Sequence, residues 1–237
     1  MMEAEAIQQI VKLTDDPEIE IGERHYTVRN LRPIEEPRAP TLPFRTLTGL
    51  VDYIRSGIDK PNLTEHVLHV AQPSVVGLLS ELHPLDRKRE FLAGAELQEE
   101  GFPFDEWQDQ ENALIGIQTL FVDTTQRAAL LKALGTMTAD EIQTHMDDGV
   151  TQRVTAAAGV ALADRRDLPS PISLAPFRTF REVDQPESLF VVRVRKQGER
   201  LAVALFEADG GAWKLEAVKR VAAWLREAVP EELKVLA

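Results

Sequence analysis

Cysteine is absent from the 237 residues, which excludes disulfides, thiolate zinc sites, iron–sulfur clusters and a cysteine nucleophile. Long apolar runs are missing too. No stretch approaches the ~18 uninterrupted apolar residues of a membrane helix. The opening segment, MMEAEAIQQIVKLTDD, carries no basic region followed by an apolar one, so no secretory leader is expected and a cytoplasmic location is. Basic charge is in deficit: 27 Lys and Arg stand against 39 Asp and Glu, a net charge of −12. A broad duplex-DNA footprint needs clustered cations and is disfavoured by that balance, although a local basic patch stays open. The motifs of common enzyme classes are absent as well: there is no GxGxxG, P-loop, GxSxG elbow, HExxH or CxxC.

What is present suits a globular protein. Hydrophobic residues make up 43% and charged residues 28%, and the length suffices for a core without disulfide or metal staples. Residues 1–45 stand apart, because Pro33, Pro37, Pro40 and Pro43 remove amide donors at short intervals. They read as an extended N-terminal arm that cannot enter a sheet interior. The body is expected over residues 46–237. Thr46 caps a helix carrying Leu47, Leu50, Val51 and Ile54, and Gly57 ends it. Residues 66–70 alternate as a strand, with 89–97 as a plausible partner strand. A helix is expected over 105–122, opened by Asp105 with Gln108, and a second over 124–135 with Ala128, Leu131 and Leu134 inward. Residues 142–157 read as a hairpin turning at Asp147–Gly149. A strand pair at 190–206 leads into a C-terminal helix with Leu215, Val218, Val221, Trp224 and Leu225 buried, stopped by Pro230. The fold class is α+β: a mainly antiparallel sheet, a central helical pair and a C-terminal helix behind a Pro-rich arm.

Candidate chemistry is sparse. His66 and His69 sit in a strand pattern that points them to opposite faces, which does not suit a common metal. Asp147 and Asp148 beside Gly149 suit a turn, and the alternative is a hard cation. The Asp209-Gly210-Gly211 junction between strand and helix is the anion-binding candidate, because free amides at a helix start attract anions. Arg193, Arg195, Lys196 and Arg200 flank one turn and form the basic candidate. Leu31, Ile34, Leu42 and Phe44 are the self-association candidates, since a free arm would leave them wet. No catalytic residue, metal site or cofactor can be assigned.

Three segments together resemble a known family. They are residues 44–54 (FRTLTGLVDYI), residues 147–155 (DDGVTQRVT), and a third run formed by 174–183 (LAPFRTFREV), 185–188 (QPES) and 204–217 (ALFEADGGAWKLEA). The resemblance is to the YfdQ-like family of phage and prophage proteins, over roughly residues 44–237. It implies a viral or prophage origin and a bacterial host cytoplasm, and it supplies no catalytic residue. The leading expectation is a non-enzymatic accessory protein that assembles with copies of itself. Two alternatives stay open: a module that binds a nucleotide, nucleic acid or host protein, and a metal-dependent hydrolase using Asp147 and Asp148.

Overall fold

The computed structural model describes residues 18–22, 24–27, 39–84, 87–98, 101–138, 143–147, 152–155 and 165–237. Contacts divide the chain into Met1–Pro40 and Thr41–Ala237. In the first unit, β1 (Glu18–Ile21) pairs antiparallel with β2 (Arg24–Thr27), so the expected arm contains a hairpin. The proline-rich run at 33–38 lies outside the described residues.

The second unit is α+β, with two cores. The first core lies on a five-stranded sheet of order β14-β4-β5-β6-β3. Its strands are β3 (Leu42–Phe44), β4 (Val67–Gln72), β5 (Val75–Leu79), β6 (Phe91–Glu96) and β14 (Lys234–Leu236). The pairs among β4, β5 and β6 are antiparallel, and both edge strands join parallel. Pro43 falls in edge strand β3, where a missing donor is tolerated. The body therefore takes in the last residues of the expected arm.

Helix α1 (Leu47–Ser56) starts as its sequence dictates. Thr46 Oγ1 accepts from the Gly49 amide at 3.1 Å, and Gly57 closes the helix at φ 61°. Its apolar stripe packs beside β6, and helix α4 (Ala212–Ala228) packs on β4. Leu50, Ile54, Leu68, Leu78 and Leu225 are fully buried between them. Each such side chain contributes about 1.5–3 kcal/mol. The face of α4 differs from the expected one. Ala217, Val221, Ala222 and Leu225 are buried, whereas Leu215 is 62% exposed. Val218 and Trp224 of the expected face pack on this core half-buried.

The second core lies on a four-stranded sheet of order β11-β12-β13-β7. Its strands are β7 (Gln108–Asp109), β11 (Ile172–Leu174), β12 (Ser188–Gln197) and β13 (Arg200–Glu207), all paired antiparallel. Phe190, Val192 and Val194 alternate inward along β12 and meet α2 (Gln110–Leu120) and α3 (Thr125–Gly135). The first of these helices is shorter than its sequence suggests. Its cap is Asp109, which accepts from the Asn112 amide at 3.0 Å. Asp105 has φ 62°, outside helical space, and its amide donates to the Leu205 carbonyl. That non-helical stretch lets Phe102 and Phe104 pack on Phe121 and Phe190. In α3 the buried residues are Arg127, Leu130 and Leu134, and Ala128 is exposed. Arg127 turns inward because its Nη1 donates to the carbonyls of Gln118 (3.0 Å) and Phe121 (2.9 Å) at the end of α2. A three-stranded sheet of β8 (Gln143–Asp147), β9 (Gln152–Thr155) and β10 (Arg165–Asp167) contains the expected hairpin, with Asp147 opposite Gln152.

Candidate functional site

The segment 174–188 joins the two cores and carries the motif singled out in the sequence. It has little regular structure, so its polar backbone needs other partners. Gln185, buried, supplies them. Its Oε1 accepts from the amides of Arg178 (3.0 Å) and Thr179 (3.2 Å), and its Nε2 donates to the carbonyls of Phe180 (3.0 Å) and Val183 (3.1 Å). The Thr179 hydroxyl donates to the Pro73 carbonyl. Glu182 accepts from the Thr48 amide at 3.0 Å, where the dipole of α1 favours a negative charge. Phe180 and Val183 enter the first core, while the Phe177 amide donates to Leu120 beside the second.

Arg178 is the central charge of this segment, and its side chain is 7% exposed. Nη1 pairs with the Glu207 carboxylate, and Nη2 donates to Ser188 Oγ at 2.5 Å. The guanidinium lies 3.9 Å from the centre of the Trp213 ring and 5.7 Å from those of Phe104 and Phe190. Burial lowers its pKa, and Glu207 and Asp209 oppose that shift. Nε of Arg178 and Nε1 of Trp213 are buried without a hydrogen-bond partner.

The anion candidate adjoins this cluster. Gly210 (φ 63°) and Gly211 (φ 80°) both take the left-handed conformation, which glycine adopts at no steric cost. The turn brings the Asp209 carboxylate to the start of α4, where it accepts from the Gly211 amide at 2.9 Å. Burial works against its ionisation. Hydrogen bonds from Ser188, the Gly211 amide and the Trp213 amide, with Arg178 close by, hold its carboxyl below the usual range. The acceptor at these amides is thus a side chain of the chain itself.

The basic candidate forms the tip of the β12–β13 hairpin. Arg195, Lys196 and Arg200 are exposed, and Arg193 is half-buried. The Arg195 guanidinium stacks 4.0 Å from the centre of the Trp107 ring, whose edge meets Phe206. Asp109, next to Arg200, is held below the usual carboxylate range first by the Asn112 amide. Of the remaining candidates, His66 is half-buried and His69 exposed. Asp148, Gly149, Leu31 and Ile34 lie outside the described residues. Leu42 is 41% exposed on β3, whereas Phe44 packs on Tyr53 of its own body at 5.7 Å. Among the described residues, no three His, Asp or Glu side chains are placed to hold a metal ion, and no helix is long and apolar enough to cross a membrane.

One surface escaped the sequence reading. Among the described residues, the five-stranded sheet carries helices on one face only, and on the other Phe91 (46%) and Leu236 (54%) are exposed. The Phe91 ring roofs Gly77 and Gly94, which stand opposite each other on β5 and β6. Glycines inside alternating strands, with an aromatic nearby, were the available signal. Compared with known proteins, the chain matches no family model, no curated protein and no solved structure.

Proposed function

We propose that this is a non-enzymatic phage or prophage accessory protein that works as an assembly of identical copies. The face of the five-stranded sheet on which Phe91 and Leu236 stand exposed, with half-buried Val67, Val75 and Leu79 and an exposed His69 beside them, carries this reading. An exposed apolar surface ringed by polar residues is the mark of a protein-binding site. The polar clusters, in contrast, are engaged within the chain: Asp209 accepts from the Gly211 amide at the start of its own helix, and Gln185 and Arg178 fasten the segment between the cores. The three resembling segments support the phage or prophage setting. Sedimentation velocity of the full chain across a hundredfold concentration range tests the reading. Mass above that of one chain is the expected outcome, and a monomer at every concentration ends it.

A second reading, binding of single-stranded nucleic acid at the basic turn, draws on the Arg195–Trp107 stack, since cations beside aromatic faces suit bases and phosphates together. Fluorescence titration with an oligonucleotide at low and high salt separates the two readings.

A further inference from the structure

The outer face of the five-stranded sheet has a particular arrangement of charge. Strand pairing places Lys234, Val67, Leu79 and Phe91 in one row across the sheet. Leu236 lies in the next row, level with the paired glycines, and Val75 and Glu96 lie in the row beyond. Lys234 and Glu96, both exposed, therefore occupy opposite corners. They are three strands apart, about 14 Å, and two rows apart, about 13 Å, by standard sheet spacings. Phe91 stands at a third corner of this near-square, in the row of Lys234 and on the strand of Glu96.

From this geometry we infer that the face is a two-fold interface between two copies of the chain, an inference that rests on the self-association reading above. The axis lies between the sheets along the diagonal through Phe91. Because the two offsets are nearly equal, rotation about that diagonal exchanges the charged corners. Lys234 then meets the partner's Glu96, and Glu96 meets the partner's Lys234. Phe91, on the axis, meets the partner's Phe91, and Leu236 falls near the partner's Val75. The contact is isologous and closes on itself, so it yields a dimer and not a filament. Gly77 and Gly94 have a role here: lacking side chains, they let the ring lie flat, so a second sheet can approach an even surface. Opposite charges at the corners also set the register, because any sliding of the sheets separates them.

Charge exchange tests the inference in the full-length protein. E96K and K234E each place like charges at both corners, and each is expected to raise the dimer dissociation constant about tenfold or more. The double variant E96K/K234E restores the pairs with reversed sign and should recover wild-type affinity. F91D should give a monomer. Both charge positions are exposed, so circular dichroism is expected to show unchanged folding in the charge variants. If the wild type self-associates and all four variants match it, this face is not the interface, although self-association stands. If the wild type is monomeric throughout, both readings fall. Weakening by the single variants without rescue in the double overturns the two-fold geometry.

Discussion

The guanidinium of Arg178 lies 3.9 Å from the centre of the Trp213 ring, so the first charge of the linking segment rests on the first turn of the C-terminal helix. That contact makes Arg178 a structural cation. Removing a buried partner leaves its counter-ion uncompensated. Arg178→Met is expected to destabilise the fold by about 2–4 kcal/mol, since Glu207 and Ser188 both lose their donor. Arg178→Lys retains the charge without the planar fork and should cost about half as much. Urea unfolding followed by tryptophan fluorescence measures both. Values near zero would mean that the cluster contributes nothing net.

Phe91 and Gly77 form a second coupled pair. A Cβ at Gly77 would run into the Phe91 ring, and one at Gly94 would come within 2.7 Å of it. Gly77→Ala alone should destabilise by about 1–3 kcal/mol through displacement of the ring. In a Phe91→Ala background the same change should be neutral or stabilising by up to about 1 kcal/mol, because alanine suits a strand interior better than glycine. Equal effects in both backgrounds would show that ring and glycine are not coupled.

His66 gives a dependence on pH. Burial is the main cause holding its pKa below 6.5, against the opposite pulls of the Asn62 carbonyl and Glu65. The folded state then binds fewer protons than the unfolded state just below that value. The stability concerned is present in full above pH 6.5 and is lost as pH falls through the folded pKa. His66→Gln should flatten the fall in stability between pH 7 and pH 5 relative to wild type. Thermal unfolding at several pH values reads this difference, and parallel profiles for the two proteins would count against it.

Local signals were the legible part of the fold. Helix α1 was readable at both ends because Thr46 and Gly57 act within one turn of it. The antiparallel pairing of β8 and β9 agrees with the hairpin read from an Asp-Gly pair between extended segments. Strand β5 was missed because only Pro73 and Ser74 separate it from β4, without the Asn-Gly or Asp-Gly that marks a tight turn. The start of α2 was placed too early because Asp105 suits a cap, yet the aromatic packing of Phe102 and Phe104 holds that stretch out of the helix. The open sheet face depends on strand order. Lys234 and Phe91 share a row only because β14, the last strand, returns to lie beside β4. No window of sequence contains that relation.

The interleaving of the two cores has a consequence for synthesis. Helix α1 and strands β4 to β6 leave the ribosome early, but the helix that covers β4 follows on the order of a hundred residues later. At about 5–20 residues per second, the inner surface of that sheet waits roughly ten seconds for its cover. The second core, whose residues run from Phe102 to Leu205, is translated in full during the interval. The nascent chain therefore carries a bare apolar layer beside a core that is already able to close.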